Sequence, residues 1–168
     1  AELLKTKLID KSGRFNKNIS TPRLRINEKS TEFVVAWRTE GSAGTDIVVT
    51  QGDVRVVQLA KAAIHTGASI LLRHLGIKST EIEKMFLAGA FGTYVDPLNA
   101  KVIGMSPDVA LEKVQFVGNT SGSGARMTLL SVEAREEAER IAKFIEYVEL
   151  GGDPSFQNEL LKETGLPH

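Results

Sequence analysis

Two apolar runs that stop at glycine constrain this fold more than any other feature of the chain. "MFLAGAFG", residues 85–92, and "VQFVGNTSGSG", residues 114–124, each read as a strand, a glycine turn and the start of a helix. Strands that alternate with helices imply crossover connections and a parallel pairing. In open α/β sheets, ligands bind beyond the carboxyl ends of such strands. Glycine at those ends has two uses: it takes the positive φ of a tight turn, or it lets a ligand approach the backbone. A helix start beside it also favours anionic groups. Either use explains one turn; two turns of the same kind in one sheet favour a site.

Neither turn matches a self-sufficient phosphate loop. "GAFG" is not G-x-G-x-x-G, and no segment ends in G-K-[ST]. No Ser/His/Asp grouping carries a nucleophile-elbow pattern, so no catalytic residue is assigned. His65 and His74 have no metal-type spacing to a carboxylate and read as helix-edge histidines, so no metal ligands are assigned either. Asp96, before Pro97, has the chemistry to orient a ribose or a metal-bound water, but Asp-Pro is also ordinary turn chemistry.

The remaining elements follow from periodicity. "LRINEKSTEFVVAWR" reads as two strands joined by a polar turn at Asn27 to Ser30, and "DIVVT" as a third strand. In residues 51–77, Val54, Val57, Ala60, Ile64, Ala68, Leu71 and Leu75 step by three or four, the apolar stripe of a long amphipathic helix. Thr50 to Asp53 supply its cap and Gly76 its stop. Arg55, Gln58, Lys61 and His65 then fall on its polar side. They read as a solvated face or, functionally, as a place where Gln58 and Lys61 touch a bound base or ribose. "VEAREEAERIAKFI" is an exposed helix with Glu136–Arg140 and Glu139–Lys143 at four-residue spacing. "IEYVEL" reads as a last strand and "DPSFQNELLKETG" as a last helix. The predicted class is α/β, a mixed sheet with a leading antiparallel hairpin and flanking helices.

Composition removes several function classes. The 168 residues carry 21 basic and 21 acidic side chains, so the formal net charge is zero. That balance gives no support for nucleic acid or a polybasic membrane surface. No apolar run is long enough for a bilayer. There are no cysteines, which excludes disulfides and cysteine-ligated zinc or iron–sulfur clusters in this chain. It also leaves no reason to choose an oxidising compartment, so the cytoplasm is expected. "AELLKTKLI" has helical spacing without an initiator Met, and is expected to be the tail of a helix from a larger polypeptide. Residues 1–23 are accordingly assigned to the end of a preceding part, and 24–168 to a half-domain.

Several stretches together resemble the C-terminal part of the reductive activators of corrinoid proteins. They are "TQGDVRVVQLAKAAIHTGASILL", "KMFLAGAFGTYVDPLNAKVIGMSPDV", "VQFVGNTSGSGARMTLLS", "AERIAKFIEYVEL" with "FQNEL", and the opening "AELLKTKLIDKSGRF". The resemblance covers nearly the whole chain. It implies a ribonuclease-H-like half of an actin, Hsp70 and sugar-kinase type ATPase domain, two such halves closing around ATP and Mg²⁺. It implies that ATP drives reduction of a corrinoid protein from cob(II)alamin to cob(I)alamin, with electrons from an iron–sulfur cluster elsewhere in the full-length protein. By this resemblance Gly89, Ala90, Phe91 and Gly92 lie against the adenosine, and Gly118, Asn119 and Gly122 form a second turn near the site. The partners implied are the corrinoid protein of a methyltransferase system and the N-terminal half of the same ATPase domain, with a homodimer as a further option.

The sequence departs from the complete pattern. The phosphate-binding hairpin and the iron–sulfur cysteines are absent from it, so the chain alone is not expected to hydrolyse ATP efficiently or to carry electrons. The alternative reading is a non-catalytic interaction module that docks a corrinoid protein or dimerises. A small-molecule kinase of the same superfamily is disfavoured for lack of a candidate base.

Overall fold

Three short strands form the first sheet. In the computed structural model, which describes residues 1–27, 30–42 and 44–167 (the backbone alone at 90, 91 and 93), β1 is Leu24–Ile26, β2 Thr31–Ala36 and β3 Ile47–Thr50. They pair antiparallel in the order β1-β2-β3, Leu24 opposite Phe33 and Phe33 opposite Val49. At the expected turn, the Asn27 amide donates to the Ser30 carbonyl at 2.9 Å. Of that turn, Glu28 and Lys29 lie outside the described residues. Trp37 follows β2, and the guanidinium groups of Arg23 and Arg25 each sit 5.7 Å from its ring centre. That is a cation–π distance.

Helix α2, Gln51–His74, begins with a full capping box. The Asp53 amide donates to Thr50 Oγ1 at 3.1 Å, and the Thr50 amide donates back to the Asp53 carboxylate at 2.8 Å. Those bonds satisfy donors that a helix start leaves orphaned. They also hold the Asp53 carboxyl below its ordinary pKa, the backbone bond from Thr50 contributing most. The helix stops where Gly76 takes φ +69°. Gly67 lies under Leu150, whose Cδ1 would stand 3.3 Å from an added Cβ, which accounts for a glycine inside a helix.

The buried side of α2 differs from the apolar stripe expected. Buried are Val54, Gln58, Lys61, Ala62, Thr66, Gly67 and Ile70, whereas Val57, Ile64 and Leu71 are more than two-fifths exposed. The cover is the reason. Helix α7, Phe156–Glu163, and the loop around Ser12 lie over the Gln58–Lys61 side. Polar side chains supplied with partners can occupy a buried face.

The parallel pair forms a sheet of its own, so the predicted mixed sheet is resolved into two. Strands β4, Met85–Ala88, and β5, Val114–Gly118, run side by side, Met85 opposite Val114 and Leu87 opposite Phe116. Short helices α3, Gly89–Tyr94, and α4, Pro97–Val102, follow β4, and α5, Thr120–Leu130, and α6, Val132–Phe144, follow β5. On α6 the ion pair formed is Glu137–Arg140, three apart, in place of the four-residue pairs expected. "IEYVEL" is not a strand. Residues 145–149 are irregular and lead into a short 3₁₀ turn at Leu150–Gly152. β-propensity needs a neighbour to pair with, and this segment pairs with none of the described strands.

A core of Ile9, Phe15, Leu24, Val54 and Leu166 joins the opening residues to β1, α2 and the end of the chain. Helix α1, Glu2–Lys5, packs beside it through Leu3 and Leu4. The accessible surface is nevertheless 11828 Å² for 18.3 kDa, against about 8100 Å² for a self-contained monomer of this mass. The exposed apolar side chains include those of the second sheet, where Phe86 is 57% and Phe116 53% exposed.

Candidate functional site

The parallel register puts two turning glycines side by side. Ala88 pairs with Gly118, so the chain leaves β4 at Gly89 and β5 at Gly118 at the same level. Both glycines are left-handed, with φ +69° and +65°, a conformation costly for other residues. Among the described residues, a Cβ built on either would meet nothing within 4 Å. Their backbones therefore border open space at the carboxyl end of a parallel sheet, the usual ligand position in this class.

Glycines 89 and 92 answer different needs. Gly89 makes the turn. Gly92, buried one helical turn later, lies so close to β4 that an added Cβ would collide with the Leu87 carbonyl oxygen. One glycine lets the chain turn, and the other lets α3 fold back onto its own strand. Ala90 and Phe91 contribute backbone to α3; the expectations on their side chains fall outside the described residues.

The second turn is closed by a cap. Asn119 Oδ1 accepts from the Gly122 amide at 2.9 Å, which starts α5. A Cβ on Gly122 would stand 2.9 Å from Asn119 Nδ2, so the glycine leaves room for the capping side chain. Asp96 is a cap as well, its Oδ1 accepting from the Asn99 amide at 2.7 Å before Pro97. The structure thus brings Gly89, Gly92, Gly118, Asn119 and Gly122 to one end of one sheet.

Gln58 and Lys61 belong to a different neighbourhood, and the solvated-face reading of them is corrected. Gln58 is 2% and Lys61 1% exposed. Gln58 Nε2 donates to the Thr164 carbonyl at 2.7 Å and the Ser12 carbonyl at 3.2 Å, while its Oε1 accepts from Arg55 Nη1 at 3.0 Å. Gly13, at φ +77°, yields the space that the Gln58 amide fills. Lys61 Nζ lies 4.0 Å from Glu163 Oε2, and His65 Nε2 3.8 Å from the same oxygen. Burial lowers the Lys61 pKa, and Glu163 opposes that shift. The partners of these two side chains are Ser12, Arg55, Glu163 and Thr164, and neither glycine turn is among them. Among the described residues, no three His, Asp or Glu side chains are grouped to hold a metal ion, and no helix is long and apolar enough to cross a membrane.

The family model described as the C-terminal domain of RACo, the ASKHA domain, matches residues 1–168. A corrinoid activation enzyme, RamQ of Eubacterium limosum, is 37% identical over 171 residues, covering 98% of this chain and 29% of that protein. The [Co(II) methylated amine-specific corrinoid protein] reductase of Methanosarcina barkeri is 34% identical over 122 residues, or 71% of this chain and 22% of its own length. A solved reductive activator for a corrinoid, iron–sulfur protein superposes with a TM-score of 0.91 at 36% identity, over 99% of this chain and 26% of its own. The chain spans less than a third of the length of each of these relatives.

Proposed function

The chain belongs to the family of RACo C-terminal ASKHA domains, and from that premise we propose that it is the C-terminal half of the ATP-binding domain of a corrinoid reductive activase. The relatives are named for activating or reducing corrinoid proteins, and a corrinoid protein of a methyltransferase system is the partner proposed here.

The observation that carries the nucleotide reading is the pair of left-handed glycines, Gly89 and Gly118, open to space at the ends of two adjacent parallel strands. A flat base and ribose can approach backbone that has no Cβ. Gly92, Asn119 and Gly122 act indirectly, by holding α3 and α5 against the strand ends. Ala90 and Phe91 belong to the same proposed cradle through their backbone. Gln58 and Lys61 are proposed to hold α2 against α7 and the Ser12 loop, a role that their buried partners support.

The opposite half of the domain is proposed to supply the phosphate and Mg²⁺ contacts. What supports that partner is the uncovered second sheet. Parallel sheets are ordinarily covered on both faces, yet Phe86, Phe116 and Val117 remain exposed. Hydrolysis of ATP would supply the free energy for an uphill transfer of one electron, from an iron–sulfur cluster elsewhere in the polypeptide to cob(II)alamin, giving cob(I)alamin. The cytoplasm is the compartment proposed.

The test is an NMR titration of the chain with Mg-ATP, then with adenosine. Shifts centred on Gly89, Gly92 and Gly118 with both ligands are expected. Shifts with a corrinoid protein but with neither ligand would replace the nucleotide reading with a docking module. For the polypeptide of which this chain is part, the decisive assay is ATP-dependent appearance of the cob(I)alamin absorbance. Reduction at the same rate without ATP would overturn the coupling.

A further inference from the structure

A basic groove lies away from both glycine turns. It occupies about 1310 Å³ and is bordered by the opening loop, by α4 and by Pro167; none of the described residues of 89–92 or 118–122 lines it. Its floor is apolar, with Leu4, Ile9, Phe15, Leu98 and Val102. Its rim is cationic: Lys5, Lys7, Lys11, Arg14, Lys17 and Lys101 border it, with Asp10 as the carboxylate among them. Five of those cations fall within residues 5–17. That local excess of positive charge is hidden in the zero net charge of the whole sequence.

The groove is preformed. An antiparallel bridge between Ile9 and Phe15 closes the loop, and the Asp10 amide donates to the Arg14 carbonyl at 2.9 Å. The Asp10 carboxylate is engaged within the loop, accepting from Ser12 Oγ at 2.6 Å and from the Arg14 amide at 3.1 Å. Lys5 pairs with Glu2 at 2.7 Å, and Lys101 with Asp108 at 2.7 Å. Among the described residues, no carboxylate lies within 4.0 Å of the charged ends of Lys7, Arg14 or Lys17. Lys7 also holds φ +60°, the described non-glycine residue with positive φ. Strained backbone of this kind clusters at binding sites.

We propose that this groove docks an acidic segment of a partner protein, one that lays apolar side chains on the Leu4–Phe15–Leu98 floor and carboxylates against Lys7, Arg14 and Lys17. Size favours a segment over a compact ligand, because small-molecule pockets are typically about 300–1,000 Å³. Charge placement favours it too. The cations are spread along a rim rather than converged on one point, as a phosphate would require. Extended or helical segments use such grooves with apolar anchors and a charged margin. The inference rests on the groove alone and stands or falls separately from the nucleotide reading.

The test is fluorescence anisotropy with a labelled peptide of alternating Glu and Leu blocks, beside its Gln-for-Glu counterpart. The acidic peptide is expected to bind, and the neutral one to bind about tenfold more weakly, as for loss of three exposed charge pairs. The triple variant K7E/R14E/K17E is expected to lose about the same factor. K84E/K143E, remote from the groove, should bind as the parent does. Equal affinity for the two peptides, or no loss in the triple variant, would overturn the proposal. So would a titration in which inorganic pyrophosphate moves the Lys7, Arg14 and Lys17 amides while the acidic peptide moves none of them.

Discussion

The two ends of this molecule are built to different degrees of completion. On the Gln58–Lys61 side of α2 the chain is closed on itself. Ile9, Phe15, Leu24, Val54 and Leu166 share a core, Gln58 ties the Ser12 loop to Thr164, and the Leu166 amide donates to the Lys11 carbonyl at 2.8 Å. Around β4 and β5 the secondary structure is as regular, yet Phe86 and Phe116 stay more than half exposed. Leu129, Leu130 and Phe144 of the helices that follow are more than 75% exposed. Regular strands and capped helices therefore do not require a finished core. Here the unfinished region is the one that carries the glycine turns.

Substitution of equivalent aromatics gives the largest contrast. Phe15→Ala should destabilise the chain by about 3–5 kcal/mol, as for a buried aromatic, while Phe116→Ala should stay within about 0.5 kcal/mol. Denaturant melts of both variants would measure this. Comparable losses would mean that the second sheet is covered and would break the comparison.

Gln58→Ala should cost about 1–3 kcal/mol, because it leaves the Ser12 and Thr164 carbonyls without their partner. Its effect on adenosine affinity sharpens the division between the regions. Unchanged binding with lowered stability places Gln58 in the closed region alone; a parallel loss of binding ties it to the glycine site. Gly89→Ala should cost about 1–2 kcal/mol through its left-handed backbone, with no clash to add. It should weaken adenosine binding as well, and Gly118→Ala should behave alike.

Acid provides the smallest and most local effect. The Arg73 side chain, paired with Glu159, holds that carboxyl below its ordinary pKa, and Ser155 does the same for Asp153. Lowered folded-state values mean that Glu159 stabilises the docking of α7 on α2, and Asp153 the start of α7, above their unfolded pKa, about 4. That contribution is lost as pH falls through the lower folded values. Hydrogen exchange of α7 amides should quicken there, and in Arg73→Gln the Glu159 part of this pH dependence should shrink to what Ser155 still supplies.

Local signals were legible in the sequence, and long-range cover was not. The Thr50–Asp53 cap, the Gly76 stop and both strand–glycine turns follow from neighbours in the chain, and the structure contains all of them. The buried face of α2 was misjudged because what covers Gln58 comes from Ser12 and Thr164, 46 and 106 residues away. No period in the helix itself reports a polar residue that is buried by a distant carbonyl. "IEYVEL" has strand composition, but composition cannot show that a pairing neighbour is missing. Of the candidate site, the glycines were found and their two separate duties were not, since the Leu87 carbonyl that forbids a side chain at Gly92 is a matter of packing.

The chain's one tryptophan stands beside Arg23 and Arg25 at the end of β2, far along the sequence from the β4–β5 unit. Its fluorescence is therefore an optical gauge of the first sheet. Helical circular dichroism, by contrast, sums over α2, α5, α6 and α7. If the two signals melt together, the open region unfolds with the closed one as a single cooperative body; if ellipticity falls first, the uncovered helices form a separate cooperative unit.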